Sequence, residues 1–358
     1  MTSRTTSKRE RHAPVSLIQV GLGGWGRNWY ETRLKGSPDA ELAGFVDSSE
    51  EALEQLQADA GIKASACFTS VTEALEQVDA EAVLVTASLP GHVPAARAAL
   101  EAGKHVLMEK PFAPSVADAR ALTAEAETAG RLLMISQNYR YFPAPQRAVE
   151  LVSSGELGKL GVIDIEFRRN HLRYDPARSR HFALPDPLLA DMAIHHFDLI
   201  RMISGADARH IRCHSYNPPW SHFTHHPSAE ALIELEDDTV VTYRGSWVSR
   251  QSPTPWAGEW RMEFERGTVR FTSREDETGE QDRLWVRRDT GARSSRERAE
   301  PLSPLDAADR SGSLREFARC IRTGEKPATH AGANIGSIGL TYAAIEAART
   351  GRRMDVER

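Results

Sequence analysis

A glycine-rich hexapeptide that directly follows a short apolar run constrains the fold of this chain more than any other feature. Residues 15–20, VSLIQV, lead into GLGGWG at residues 21–26, and a helical pattern follows. In such a strand–turn–helix unit the first glycine permits the tight turn, the second lets a pyrophosphate approach the backbone, and the third lets the helix pack on the strand. The sequence therefore predicts a dinucleotide-binding turn, with candidate contacts at Gly21, Gly23, Gly24, Trp25 and Gly26.

Short apolar runs alternate with helical patterns from residue 15 to about residue 138. The runs are nearly continuous in apolar residues, which is typical of strands buried on both faces of a parallel sheet. They occupy residues 15–20, 42–46, 66–68, 82–87, 105–108 and 132–136. We therefore predict a doubly wound α/β domain over residues 15–138 that binds a dinucleotide.

The pattern changes after Pro143, where several strand candidates alternate apolar and polar residues and are joined by short turns. They are residues 161–167, 211–216, 231–235, 239–248, 260–264, 268–272 and 283–288. Such alternation is typical of an antiparallel sheet with one covered face. We predict an α+β domain over residues 139–358 with a mostly antiparallel, open sheet. Helical patterns at 314–322 and 335–349 could pack on either domain.

Charge and cysteine content exclude several classes of partner and site. The 358 residues contain 45 Lys and Arg against 50 Asp and Glu, so a net charge of -5 provides no basic field for nucleic acid. Three widely spaced cysteines favour neither a disulfide framework nor a thiolate zinc site, and they indicate a reducing, cytoplasmic location. No apolar run is long enough to span a membrane.

Two polar segments are expected outside the folded core. We expect residues 1–14 to be a disordered tail and the charged residues 273–298 to be a solvated hairpin or an oligomer contact.

A carboxylate at the end of the second predicted strand narrows the choice of cofactor. Asp47 lies 21 residues beyond Gly26, where it can accept hydrogen bonds from a ribose diol and repel a 2′-phosphate. We expect Asp47 and the adjacent Ser48 to bind NAD, with NADP less favoured. The structural alternative is a glycine turn without a ligand, and methyltransferases that bind S-adenosylmethionine share the same features.

Lys110 follows the fifth predicted strand in the tripeptide Glu109-Lys110-Pro111. This is the edge at which parallel sheets bind ligands, and an ammonium group there can hydrogen-bond a substrate oxygen and stabilise a developing alkoxide. The alternative is a surface lysine paired with Glu109.

Asp191, His195 and Asp198 have the i, i+4, i+7 spacing of one helix face. We therefore expect them to converge on one pocket, with His196 directed elsewhere. A histidine flanked by carboxylates can accept the proton of an alcohol near neutral pH. A purely structural, hydrogen-bonded helix is equally consistent with the pattern.

Together these motifs resemble the Gfo/Idh/MocA oxidoreductases, a family named for glucose-fructose oxidoreductase and inositol dehydrogenase. The resemblance rests on residues 21–26, Asp47, residues 102–111, the Asp191-His195-Asp198 pattern, residues 138–143 and residues 317–353. It implies a Rossmann domain and an α+β domain whose open sheet forms homodimers or homotetramers. It also implies reversible oxidation of a secondary alcohol on a sugar, cyclitol or related polyol by a nicotinamide cofactor.

The resemblance further implies roles for individual residues. His195 would be the acid–base group, Lys110 would contact cofactor and substrate, Asp191 would bind substrate or steer His195, and Asp198 would support them. Further cofactor contacts would be Thr86, Ala87, Ser88, His92, Glu109 and Asn138, with Arg140 touching nicotinamide or substrate. Hinge packing is the alternative for Asn138 and Arg140, and His92 could equally cap a helix.

The predicted substrate pocket departs from the family pattern. Members often carry glycines before the catalytic aspartate and one glycine after it, whereas this chain has DPLLA at 186–190 and Ala193.

A basic cluster could bind a substrate carboxylate or phosphate, or form a solvated loop; it comprises Arg168, Arg169, Arg173, Arg178, Arg180 and His181. Arg168 is the member of this cluster that we assign to the substrate site. Residues 171–226 hold nine of the 13 histidines, but no acid or cysteine clearly completes a metal site, so we expect none and favour sugar stacking, loop packing or an interface.

Two other functions share these parts. A glycoside-cleaving enzyme could oxidise a ring hydroxyl transiently and then eliminate the aglycone. A non-catalytic NAD-binding regulator is the second alternative, and the presence of Lys110, Asp191 and His195 disfavours it.

Overall fold

A computed structural model describes residues 13–289, 291 and 296–358. The chain divides into two compact, discontinuous units. The first contains the described residues up to Met108 together with Ala124–Met134 and Leu314–His330, and the second contains the described residues of Glu109–Thr123, Ile135–Ser313 and Ala331–Arg358. The sequence predicts one boundary near residue 138, whereas the chain passes between the units several times. Nearly all of the predicted disordered tail lies outside the described residues.

The first part of the chain forms a six-stranded parallel sheet, as the continuous apolar runs predict. Its strands are β1 (Val15–Val20), β2 (Ala40–Val46), β3 (Cys67–Phe68), β4 (Ala82–Val85), β5 (His105–Met108) and β6 (Leu133–Ile135), in the order β3-β2-β1-β4-β5-β6. The strand order reverses between β1 and β4, and this switch point is where doubly wound sheets bind ligands.

Helices connect these strands. They are α1 (Gly24–Trp29), which continues as a π-helical segment over Tyr30–Leu34, α2 (Glu50–Ala60), α3 (Val71–Gln77), α4 (Leu89–Glu101) and α5 (Val116–Thr128). Local signals define their ends: the Ser49 hydroxyl accepts the Ala52 N–H at the start of α2, and Gly61, at a φ of 68°, ends this helix. Leu53 and Leu56 form the buried face of α2.

The second sheet has nine strands in the order β14-β13-β12-β11-β7-β10-β9-β8-β15. The strands are β7 (Leu160–Arg168), β8 (Ala208–Tyr216), β9 (Ser228–Leu235), β10 (Val240–Ser246), β11 (Glu259–Phe264), β12 (Gly267–Thr272), β13 (Arg283–Arg288), β14 (Arg298–Ala299) and β15 (Met354–Asp355). Its pairs are antiparallel except that β7 and β10 run parallel, which confirms the mostly antiparallel sheet. Buried Val241 and Tyr243 alternate with exposed Thr242 and Arg244, so one face is covered and the other is open.

Helices α6 (Pro143–Ser154), α7 (Ile194–Ser204), α8 (Asp309–Thr323) and α9 (Ala331–Thr350) complete the chain. Residues 187–193, directly before α7, form a π-helical segment. A large apolar core joins the covered face of the second sheet to α6, α7 and α9, and Phe167, Phe197 and Trp260 are among its fully buried side chains. No helix within the described ranges has the length and apolar character to cross a bilayer.

The sequence predicts that the charged segment 273–298 is a solvated hairpin or an oligomer contact, but Ser273 and Asp282 within it are buried. The Asp282 carboxylate accepts hydrogen bonds from the Ser273 hydroxyl and from the backbone N–H groups of Ala144 and Arg274. These bonds fix the position of Arg274. Residues 290 and 292–295 of the segment lie outside the described residues.

Candidate active site

The glycine-rich turn combines two glycines that the protein's own packing requires with two that face open space. A Cβ atom at Gly21, whose φ is +93°, would lie 2.4 Å from the backbone of Ala87, and one at Gly26 would lie 1.9 Å from the Gly21 carbonyl oxygen. At Gly23 and Gly24 a Cβ would meet nothing within 4 Å. Packing therefore explains the first and third glycines of the motif, whereas the open space at Gly23 fits a pyrophosphate against the backbone.

Two buried polar side chains hold this turn in place. The Thr86 hydroxyl donates to the Gly21 carbonyl oxygen at 2.7 Å, and the Gln19 amide donates to the Gly26 carbonyl oxygen at 2.8 Å. The resemblance predicts that Thr86 contacts the cofactor. Its hydroxyl proton is instead donated to the protein backbone. Gln19 was not predicted as a site residue, although one polar residue within a buried apolar strand is a usable signal.

Asp47 is oriented by the backbone around it. Its Oδ2 accepts the Leu22 N–H at 2.6 Å and its Oδ1 accepts the Ser49 N–H at 2.9 Å, while the side chain stays partly exposed. Each carboxylate oxygen retains acceptor capacity for a ribose hydroxyl. Ser48 is exposed beside it, and Trp25 in the glycine turn is 45% exposed. These residues fit a dinucleotide that has no 2′-phosphate.

The loop after β4 makes a contact within the protein and leaves two of its residues at least partly exposed. Ser88 is exposed and Ala87 partly exposed, whereas His92 is buried and its Nε2 lies 2.9 Å from the Ala87 carbonyl oxygen. With Nε2 as the donor, His92 links the start of α4 to this loop.

In the second unit, the Lys110 ammonium group contacts Asp191 rather than Glu109. Lys110 Nζ donates to Asp191 Oδ1 at 2.8 Å and to the Asp191 carbonyl oxygen at 2.7 Å. Buried Glu109 instead accepts the Lys110 backbone N–H at 3.2 Å. Two of the three ammonium N–H groups are therefore used, and the third can reach a substrate oxygen.

Asp191 is a carboxylate that remains ionised at neutral pH. Burial alone would raise its pKa, but the charge of Lys110 and the hydrogen bonds from His181 and Lys110 hold the pKa well below the usual range. His181 Nε2 lies 3.3 Å from Asp191 Oδ2. The Asp191 side chain is 40% exposed, against 12% for Lys110, so the carboxylate is accessible to a polar ligand.

His195 is a buried imidazole that stacks on the ring of Tyr139. The ring centroids are 4.0 Å apart and the planes differ by 6°. Neither ring nitrogen has a hydrogen-bond partner among the residues the structure describes; Nδ1 is buried, whereas Nε2 is accessible. Burial, together with the charges of Lys110 and Arg274, lowers the pKa of His195 well below that of an ordinary histidine. The imidazole is therefore neutral near pH 7 and can accept a proton at Nε2.

Tyr139 is held by residues that the sequence did not predict as site residues. Arg274 Nη1 donates to the Tyr139 hydroxyl oxygen at 3.2 Å, and Arg274 Nε lies 3.5 Å from Asp309 Oδ1. Burial raises the pKa of Tyr139 to about 12, against the effect of Arg274, so the phenol stays protonated. Asn138, predicted to contact the cofactor, instead donates its amide to Asp309 Oδ1 at 2.5 Å. Asn138 therefore packs within the protein, as the hinge-packing alternative predicts.

Asp198 does not join Asp191 and His195 in one pocket, contrary to the prediction from their spacing. Asp191 lies in the π-helical segment 187–193, whereas His195 and Asp198 lie in α7, where a separation of three residues leaves their side chains roughly 60° apart around the helix axis. Asp198 is buried and accepts two hydrogen bonds from Arg140, at 2.5 and 2.8 Å, and one from Ser337 at 2.7 Å. Arg140, predicted to contact nicotinamide or substrate, is thus held in this buried ion pair. His196 is directed elsewhere as predicted, toward Tyr243 and Trp256.

The basic cluster separates into members with different environments. Arg168, predicted to bind substrate, is instead paired with Glu166 at 2.5 Å and Glu259 at 3.0 Å. Arg169 stacks on Trp256, with its guanidinium carbon 4.1 Å from the ring centroid. Arg173 is exposed and stacks on Tyr174.

Two histidines near the site, His171 and His181, belong to an aromatic cluster. His171 and His181 have ring centroids 4.8 Å apart, and each lies 4.7 Å from Trp247. Burial and the charge of His181 lower the pKa of His171 to about 4. Within the described part of the chain, no group of three or more His, Cys, Asp or Glu side chains is arranged to hold a metal ion.

Two family models match the chain. A model described as an oxidoreductase family with an NAD-binding Rossmann fold matches residues 16–137, and the Gfo/Idh/MocA C-terminal domain matches residues 146–270. Together the two ranges cover more than half of the chain.

Individual relatives agree with these models. D-apiose dehydrogenase from Paraburkholderia graminis is 26% identical over 364 residues, covering 99% of this chain and 91% of that protein. Myo-inositol 2-dehydrogenase from Thermotoga maritima is 28% identical over 198 residues, covering 54% and 57%.

A solved structure shares the fold. The crystal structure of an inositol dehydrogenase homolog from Azotobacter vinelandii, complexed with NADH and myo-inositol, has a TM-score of 0.79 at 18% identity and covers 97% of this chain and 99% of that one. The family resemblance drawn from the motifs is therefore confirmed. The chain belongs to the Gfo/Idh/MocA family of NAD-binding oxidoreductases.

Proposed function

We propose that this oxidoreductase interconverts a secondary alcohol and its ketone on a sugar, cyclitol or related polyol, with NAD as the preferred cofactor. The observation that carries the proposal is the group formed by Lys110, Asp191 and His195, in which an oriented ammonium group accompanies a neutral, buried imidazole. Relatives named as dehydrogenases of D-apiose and myo-inositol support the substrate class.

The cofactor would be held by the glycine turn and by Asp47. Gly23 and Gly24 leave the backbone open to the pyrophosphate, and Asp47 would accept hydrogen bonds from the ribose diol. When bound, a nicotinamide dinucleotide supplies the two-electron acceptor for the carbon that bears the hydroxyl group.

In the direction of oxidation, His195 Nε2 takes the hydroxyl proton because it is accessible and unprotonated. The third N–H of Lys110 donates to the same oxygen and stabilises its developing negative charge. Asp191 orients Lys110 and, through its exposed carboxylate, can bind a neighbouring hydroxyl group. In the reverse direction, protonated His195 returns the proton to the oxygen.

Absorbance of NADH, measured with a panel of sugars, sugar acids and cyclitols and with each dinucleotide, tests the proposal directly. We expect reduction of NAD in preference to NADP with at least one polyol, and loss of at least ~100-fold in turnover for His195→Ala. An aryl glycoside included in the panel should yield no aglycone without net NADH. Release of aglycone without NADH, or full turnover by the variant, would contradict the proposal.

We also propose that the protein is a cytoplasmic homodimer or homotetramer. The family resemblance implies such assemblies through the open sheet, and the uncovered face of the nine-stranded sheet, with exposed Thr242 and Arg244, is the surface that a second copy would cover. The free thiols of Cys67, Cys213 and Cys320 support a reducing compartment. Light scattering coupled to size-exclusion chromatography tests the first point and cell fractionation the second; a monomer or a secreted protein would contradict them.

A further inference from the structure

Arg169 lies just after the end of β7, and its guanidinium group has no acidic partner among the residues that the structure describes. No carboxylate of those residues lies within ion-pair distance of it, and its side chain makes no hydrogen bond to them. Nε is buried, whereas the terminal nitrogens are accessible and the residue is partly exposed. A buried guanidinium N–H without an acceptor is unfavourable, and a guanidinium with accessible terminal nitrogens can bind an external anion.

Stacked rings connect Arg169 to the proposed catalytic group. The Arg169 guanidinium lies 4.1 Å from the centroid of Trp256, and Arg274 lies 5.9 Å from the same ring and 4.6 Å from that of Tyr139. Tyr139 in turn stacks on His195 at 4.0 Å. The stack on Trp256 restrains the guanidinium, so little conformational entropy is lost when it binds a ligand.

Positive charge exceeds negative charge around Arg169. Burial lowers the pKa of Arg169, and repulsion from Arg274 and Arg173 lowers it further, whereas attraction by Glu275 raises it. The guanidinium nevertheless remains charged at neutral pH. Asp191 is paired with Lys110, Asp309 lies beside Arg274, and Glu275 is exposed. None of these three carboxylates forms an ion pair with Arg169, so its guanidinium is left to bind a negatively charged group of a ligand.

We propose that the substrate carries a carboxylate, as a sugar acid or related hydroxy acid does, and that Arg169 binds it while Lys110 and His195 act on a hydroxyl group. This inference rests on the proposed function and narrows its substrate class. A monoanionic carboxylate matches the single unpaired, partly buried guanidinium better than a phosphate ester, which carries a charge of about -1.5 to -2 at neutral pH.

The test compares D-glucuronate and D-galacturonate with D-glucose, D-galactose and D-glucose 6-phosphate as substrates for NAD reduction. We expect the better acid to exceed its neutral sugar at least about 10-fold in kcat/KM in the wild-type enzyme. Arg169→Gln should lower kcat/KM for the acid about 10- to 100-fold, mainly by raising KM, and Arg169→Lys should restore part of it. Activity with neutral sugars should change by less than about threefold.

Arg352→Gln is the matched control, because Arg352 is exposed between α9 and β15, and it should leave both substrate classes unaffected. Thermal unfolding confirms that the Arg169 variants are folded. Preference for the neutral sugar, preference for the phosphate ester, or an equal loss for acid and neutral sugar in Arg169→Gln would overturn the inference.

The outcomes also separate this inference from the proposed function. Turnover of neutral polyols without turnover of acids refutes only the carboxylate assignment. When no compound is oxidised, the proposed function fails, and thermal stabilisation by glucuronate in the presence of NADH decides the inference. Stabilisation that Arg169→Gln abolishes would support it, and its absence would refute it.

Discussion

Replacement of Lys110 by methionine isolates the contribution of its ammonium group to turnover, because methionine keeps an unbranched, apolar side chain in the same space. Two N–H groups of the ammonium donate to Asp191, so one remains for the substrate oxygen. Loss of one oriented, charged donor to a developing oxyanion costs about 3 kcal/mol, or roughly 100-fold or more in kcat. We therefore expect kcat of Lys110→Met to fall by at least that factor.

The assay measures initial rates of NADH formation at saturating substrate and NAD, with NADH affinity measured separately by fluorescence. NADH affinity should change little, because the glycine turn and Asp47 are unaltered. Exposed Lys326 provides the control, and Lys326→Met should retain wild-type rates. A folded Lys110→Met enzyme with kcat within about threefold of wild type would refute the role assigned to the ammonium group.

Three further predictions concern other parts of the molecule. Gly23→Ala should fold normally but bind NADH more weakly in fluorescence titrations, whereas Gly26→Ala should lower the unfolding temperature because its Cβ would lie 1.9 Å from a carbonyl oxygen; equal behaviour would contradict the packing analysis. Arg140→Met should reduce the free energy of unfolding in urea by about 3 to 5 kcal/mol, because it leaves the buried Asp198 carboxylate without its cation; a change below about 1 kcal/mol would count against this. Burial lowers the pKa of His196 to about 4, so the unfolded chain takes up the proton more readily, and stability falls as the pH decreases from the usual value of 6.5 towards about 4. This loss is on the order of 3 kcal/mol, and His196→Gln should show a correspondingly smaller loss in denaturation series at different pH.

The features that sequence reasoning identified depend on short stretches of chain. The run at residues 15–20 predicts β1 because a strand buried on both faces must be apolar throughout, and its junction with the glycine turn is local. Lys110 was identified for a similar reason, since it follows β5 by two residues at the edge where such sheets bind ligands. β14 and β15, with two residues each, are too short to show any periodicity.

The features that were missed depend on contacts between distant parts of the chain. Arg274 contacts Tyr139 across 135 residues, and nothing in the charged run around it distinguishes this arginine from its neighbours. The position of Arg140 in the sequence indicates ligand binding, but Asp198, 58 residues away, neutralises its charge. The carboxylate of Asp198 is held by this arginine and, from 139 residues away, by Ser337, so its spacing from Asp191 and His195 along the helix does not determine where it lies.

The pH dependence of kcat/KM for alcohol oxidation, compared between wild type and His195→Gln, tests the central claim most directly. Wild-type activity should persist below pH 6.5 and fall only at lower pH, because burial, Lys110 and Arg274 lower the pKa of His195 and the unprotonated form is the active base. In His195→Gln the plateau should fall at least ~100-fold and this acid limb should disappear. A variant that keeps the wild-type plateau, or the same acid limb, would show that another group accepts the proton.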